Sequence, residues 1–112
     1  LRSLRVRPCA DLRDAARSPD GDRARIAGVV LVRQRPGTAK DVTFMTIEDE
    51  TGAANLVVWS RVYKRYRAHA RATMLIATGR IQRQGEVVHL VVQHLHRLDA
   101  TEQPNVRSRD FR

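Results

Sequence analysis

The stretch FMTIEDETGAANLVVW, residues 44–59, alternates apolar and polar side chains on either side of Asp49-Glu50-Thr51-Gly52. Strict alternation is the period of a half-buried strand, and a short polar segment ending in Gly is turn chemistry, so the stretch predicts a β-hairpin. Met45 and Ile47 set the inward parity of its first strand, and Ala54, Leu56 and Val58 that of its second. Phe44, Thr46, Asn55, Val57 and Trp59 then face outward. A benzyl ring on the wetter face of a hairpin is the first functional clue, because core formation does not require it there.

Working outward from the hairpin, the same reasoning yields three more strands. Residues 23–34, RARIAGVVLVRQ, are apolar and β-branched with Gly28 in their interior, and residues 72–83 carry Gly79 in the same way. An interior glycine marks a bulge or sharp bend, as a strand needs when it serves both halves of a small barrel. Gln84-Gly85 turns the chain into a last strand over 86–98. Between the hairpin and residue 72, SRVYKRYRAHA (60–70) switches to helical period, with Val62, Tyr66 and Ala70 at i, i+4 and i+8 and Tyr63 beside them. Residues 10–17, ADLRDAAR, predict a short N-terminal helix ended by the turn Ser18-Pro19-Asp20-Gly21. The expected fold is therefore all-β with one helix: a five-stranded OB-fold barrel with the helix between its third and fourth strands, preceded by the short N-terminal helix. The expected organisation is a lead-in over 1–22, the barrel over 23–98 and a flexible tail over 99–112.

The chain has 112 residues, room for one domain, with 42% hydrophobic and 29% charged residues. No apolar run approaches bilayer length, so no membrane partner is expected. The first residues, Leu1-Arg2-Ser3-Leu4, have neither Met nor a signal-peptide pattern, which reads as a fragment of a longer protein. Cys9 is the single cysteine and excludes an internal disulfide; cytoplasm and a monomeric state are the defaults. Lys and Arg total 21 against 12 acids, a formal charge of +9. The excess is concentrated: Arg23, Arg25, Arg33, Arg35 and Lys40 occur with no acid among them, as do Arg61, Lys64, Arg65, Arg67, Arg71, Arg80 and Arg83. Such runs point to a polyanionic partner.

No catalytic signature, cofactor motif or metal set emerges. Glu48-Asp49-Glu50 are consecutive carboxylates in a turn, and His94-x-His96 with His89 lacks the further ligands of a zinc site, so no cofactor is expected. The nucleic-acid-binding candidates are those that share or border the outward hairpin face. Phe44 is placed to stack on a base, Thr46 and Asn55 share its face, and Arg33, Arg35 and Lys40 of the first loop are placed to meet phosphates. Arg80, Gln82 and Arg83 of the fourth strand continue the track. Against these stand plainer readings: Phe44 covered by the lead-in or a neighbouring domain, and the loop cations merely solvated. For Trp59 packing against the helix is the plainer expectation, and Tyr63 and Tyr66 are expected to plug the barrel end.

The run VVLVRQRPGTAKDVTFMTIEDETGAANLVVW (29–59), followed by the helix and by ATGRIQRQGEVVHLVV (77–92), resembles the C-terminal OB domain of bacterial C-family (polymerase III alpha-like) DNA polymerases, in particular the error-prone ImuC type. Ser60, where the family pattern expects Pro, and Ala53, where it expects a larger aliphatic, depart from it. The resemblance implies a parent DNA-directed DNA polymerase acting in translesion synthesis, DNA repair and SOS mutagenesis. Its catalytic carboxylates belong to a palm domain outside this chain, so the chain itself is expected to bind single-stranded template DNA rather than to polymerise. Two alternatives stay open: a protein-docking OB domain contacting mutasome accessory proteins or the sliding clamp, and a tRNA anticodon-binding domain, which shares the Phe and the D-x-x-G turn.

Overall fold

The computed structural model of the chain describes residues 5–35 and 41–98. A two-residue strand, β1 (Val6–Arg7), and a 3-10 helix (Cys9–Arg13) precede β2 (Arg23–Gln34), β3 (Val42–Asp49) and β4 (Gly52–Trp59). Two short helices, α1 (Ser60–Arg65) and α2 (Arg67–Ala70), lead to β5 (Met74–Gln84) and β6 (Val87–Arg97). The sheet order is β1-β2-β3-β4-β6-β5, and an additional β2–β5 pairing closes it into a barrel. The five long strands form the expected OB-type barrel, and β1 is an extra strand lying parallel to β2.

Closure depends on β2 changing partners along its length. From Arg23 to Val29 it pairs antiparallel with β5, and from Val29 to Gln34 with β3. Gly28 sits at the changeover, where a Cβ would lie 2.5 Å from the Glu48 carbonyl oxygen. Gly79 is the counterpart in β5: a Cβ there would collide with the Val91 carbonyl, beside the register shift at Thr78/Gly79. Both interior glycines are thus required by close backbone approach. The remaining seam is a parallel β4–β6 pairing at Leu56↔Leu90 and Val57↔Val91.

The alternation read from the sequence sets the core. Ile26, Met45, Ile47, Leu56, Val58, Leu75, Ile81, Leu90, Val92 and Leu95 are all buried in one cluster. Val62, Tyr63 and Tyr66 pack against it, partly buried, at the helical end of the barrel. The N-terminal segment adds Cys9 and Leu12 to the same cluster, Leu12 at 3% exposure. At that depth Leu12→Ala costs about 2–5 kcal/mol.

Two local expectations differ in detail from the structure. The helix over 60–70 is two pieces because Tyr66 leaves helical geometry (φ −110, ψ 32). This segment has no acid, and Arg61 and Arg65 repel at i, i+4, so nothing local favours continuity. The helix over 10–17 is a 3-10 turn over Cys9–Arg13. A segment this short does not sustain an α-helix alone. Asp14, extended at φ −92, ψ 108, accepts the Ala16 amide through its side chain instead of continuing the helix. Position is then fixed by tertiary bonds: the Arg83 guanidinium donates to the carbonyls of Leu12 (2.7 Å) and Ser18 (2.8 Å).

Candidate nucleic-acid interface

The pairing registers place a continuous row of outward side chains across the sheet. Gln34 of β2 lies opposite Phe44, Phe44 opposite Val57, Val57 beside Val91 of β6, and Val91 opposite Arg80 of β5. A second row runs alongside: Val32 opposite Thr46, Thr46 opposite Asn55 and, on the β6–β5 pair, His89 opposite Gln82. Phe44, Thr46, Asn55, Arg80 and Gln82 therefore share one face, built by strands distant in sequence.

Phe44 is partly exposed, and its ring centroid lies 6.5 Å from that of His89 at an interplanar angle of 50°. Beneath the face Val57 is only 7% exposed although it points outward, so Phe44, Val57 and Val91 form an apolar floor. The Thr46 hydroxyl donates to Asn55 Oδ1 (3.1 Å). This bond fixes the amide so that its NH2 remains as a donor on an exposed side chain, suited to a base carbonyl. Arg80 is exposed and oriented by one bond to the Gly21 carbonyl (3.0 Å); Gln82 beside it is exposed as well. A shallow groove lined by Arg80, Gln82, Gln84 and Val91 continues the face toward Asp20 and Gly21.

The other candidates lie elsewhere. A register shift between Val30 and Val32 flips the parity of β2, so Arg33, opposite inward-facing Met45, takes the inward side at the strand's end. Its guanidinium donates to the carbonyls of Ala70 (3.2 Å) and Ala72 (2.7 Å), tying β2 to the chain after α2. Arg83, on the inward parity of β5 with Ile81, borders the groove beside Arg80, but its guanidinium holds the N-terminal segment. Arg35 stands over the Tyr63 ring (5.6 Å) at the helical end. Lys40 lies outside the described residues, as do positions 36–39 and 99–112. Trp59, expected against the helix, is 49% exposed.

Val57 takes the outward place that alternation gave it, and His89 and Val91 of β6 are members of the face that the sequence reading did not assign to it. Leu90 and Val92 set the inward parity of β6, and the same alternation argument places His89 and Val91 outward.

The acidic turn has a structural task. Burial pushes the Asp49 carboxyl up, but bonds from the Thr51 hydroxyl (2.6 Å), the Cys9 amide (2.9 Å) and the Thr51 amide (2.8 Å) outweigh it and hold the group below its ordinary value. Burial, reinforced by the Asp49 charge, pushes the Cys9 thiol up to about 12, which keeps it protonated and unreactive. Among the described residues no group of three or more His, Cys, Asp or Glu is arranged to hold a metal ion.

Comparison with known proteins agrees with this architecture. A family described as "OB-fold nucleic acid binding domain" matches residues 24–98. Error-prone DNA polymerase 3 of Agrobacterium fabrum is 55% identical over 95 residues, which is 84% of this chain and 9% of the polymerase. Error-prone DNA polymerase 2 of Rhizobium meliloti is 52% identical over 101 residues, 89% of this chain and again 9% of the polymerase. The chain thus spans about a tenth of the length of these relatives. Among solved structures, asparaginyl-tRNA synthetase from Pyrococcus horikoshii superimposes with a TM-score of 0.66 at 18% identity, covering 93% of this chain and 27% of the synthetase, a likeness of fold.

Proposed function

The chain belongs to the OB-fold nucleic acid binding family, and from that premise we propose that it is the module of an error-prone DNA polymerase that engages single-stranded template DNA on the outer face of β3, β4 and β6. The observation that carries this reading is the outward row of Phe44, Val57, Val91 and Arg80, with the Thr46–Asn55 pair beside it. A partly exposed ring stacks on any base, the fixed amide donates to a base edge, and the arginine meets a phosphate. Template-directed synthesis, of the C-family ImuC type and directed to lesion bypass in SOS mutagenesis, is proposed for the parent polymerase in the cytoplasm and lies outside this chain's own chemistry.

Fluorescence anisotropy of labelled oligo-dT, compared with a duplex of equal length at several salt concentrations, tests the reading. Single-strand preference is expected, with affinity falling linearly on a log-log salt plot. Phe44→Ala should weaken binding about tenfold, within the roughly 1–3 kcal/mol of one stacked base, while the unfolding temperature changes little. Equal affinity for duplex, or no binding at low salt, contradicts it. A second reading is favoured by Val29 and Leu31, each more than 40% exposed along β2 (43% and 52%). That apolar strip suits a protein-docking surface for accessory proteins or the sliding clamp, and charged substitutions there would abolish docking without touching DNA affinity.

A further inference from the structure

Trp59 ends β4 with extended geometry (φ −70, ψ 153), so it keeps the outward parity of Asn55 and Val57. Its backbone is fixed on both sides: Trp59 pairs with Val42, and the Ser60 amide donates to the Asp41 carbonyl (2.6 Å). Trp59 is nevertheless 49% exposed, an unusual cost for the largest apolar side chain in the barrel. Two residues along a strand is roughly 7 Å, so the ring lies one step beyond Val57, which is opposite Phe44. The face proposed for DNA thus has a second aromatic platform at its helical end.

Beyond Trp59 the surface becomes a cleft lined by Arg35, Asp41, Ser60, Tyr63, Lys64, Arg67 and Arg71. Four cations face one another there across a single acid. Arg35 is oriented by the Tyr63 ring, at 5.6 Å. Lys64, Arg67 and Arg71 have no ion pair among the described residues. Four cations against one acid repel one another, and a polyanion relieves this while releasing its own condensed counterions.

Resting on the reading above, we infer that the single strand leaves the β3–β4–β6 face across the Trp59 indole, a second stacking platform, and that its phosphates enter the cleft between Arg35 and α1. An aromatic step joining a stacking face to a cation cluster fits a ligand with flat bases and regularly spaced negative charges. An acidic peptide supplies only the second.

Trp59 is the sole tryptophan of the chain, so indole emission, excited beyond the absorption of Tyr63 and Tyr66, reports this position alone. The 112-residue chain is titrated with unlabelled oligo-dT while anisotropy of a labelled oligo-dT is followed in parallel. The expected result is quenching of Trp59 with the same midpoint as the anisotropy change. Trp59→Ala should weaken binding roughly tenfold and Trp59→Phe should restore most of it. Lys64→Gln and Arg67→Gln should each flatten the salt slope by roughly 0.7. Normal anisotropy with unquenched emission, affinity of Trp59→Ala within about twofold of the parent and an unchanged slope in the cation variants would overturn the inference while leaving single-strand binding intact. Quenching by poly-glutamate as strong as by oligo-dT would also overturn it, in favour of an acidic protein partner. No anisotropy change at all would overturn both readings.

Discussion

Arg80 and Arg83 stand three residues apart on β5, yet their surroundings differ completely. Arg80 points outward with one bond to the Gly21 carbonyl, whereas Arg83 points inward and is spent on the Leu12 and Ser18 carbonyls. Arg83→Gln should therefore lower stability by about 2 kcal/mol through loss of charge-assisted bonds to buried carbonyls, roughly 10 °C in unfolding temperature for a domain of this size. Arg80→Gln should leave the unfolding temperature nearly unchanged and reduce the salt slope of oligo-dT binding by roughly 0.7; calorimetry and anisotropy on the two variants check the contrast. Composition and local pattern do not separate these arginines, because the acceptors of Arg83 lie 65 and 71 residues away in sequence. Asp49 carries a pH dependence. Its folded-state pKa is depressed, so the stability it contributes is present above the ordinary value of 3.8 and is lost as pH falls through the lower folded value. Unfolding followed from pH 7 downward should show Asp49→Ala most destabilised at pH 7, with the gap to the parent narrowing only once the pH is below 3.8.

At the scale of elements, alternation and interior glycines were the legible features. Period two in residues 44–59 gives the inward set Met45, Ile47, Ala54, Leu56 and Val58, all buried. Gly28 and Gly79 mark the bends that allow β2 and β5 to meet, because strand-interior glycine has few other uses. Gly79→Ala should accordingly be among the most damaging single-atom-scale changes, costing more than about 3 kcal/mol through overpacking against backbone, whereas Gly21→Ala meets no neighbouring atom within 4 Å and is limited by its positive φ of 87°. Chemical denaturation of the two variants tests this order. What the sequence did not disclose is the bulge at Val30/Val32, which turns Arg33 away from the hairpin face and toward the carbonyls of Ala70 and Ala72. A bulge is a two-strand event and leaves no mark on the apolar run that contains it. The break at Tyr66 was hidden for a related reason: its side chain follows helical spacing, while its hydroxyl contacts His94 Nδ1 at 2.6 Å, a partner set by the tertiary fold.

Over the whole molecule the charge excess of +9 is unevenly used. Near the N-terminal segment Arg7 and Arg17 meet Asp22, Asp11 and Asp14 in exposed ion pairs, and Arg33 and Arg83 are spent on carbonyls. Among the described cations that border the outer face, Arg80 stands at one end and the cluster around Arg35, Lys64, Arg67 and Arg71 at the other, with Phe44 and Trp59 between them. The sign and size of the charge were readable from composition; its division into structural and available parts required the closed barrel, since Arg33 and Arg83 take acceptors from segments distant in sequence. The central claim is that the outer face of β3, β4 and β6 holds the single strand. Amide chemical-shift mapping of the isotopically labelled chain with unlabelled oligo-dT tests it most directly. The account predicts perturbations at Phe44, Thr46, Asn55, Val57, His89 and Val91, with Ala24 and Ile26 unmoved; shifts confined to Val29 and Leu31, or absent from the outer face at saturating oligonucleotide, would contradict it.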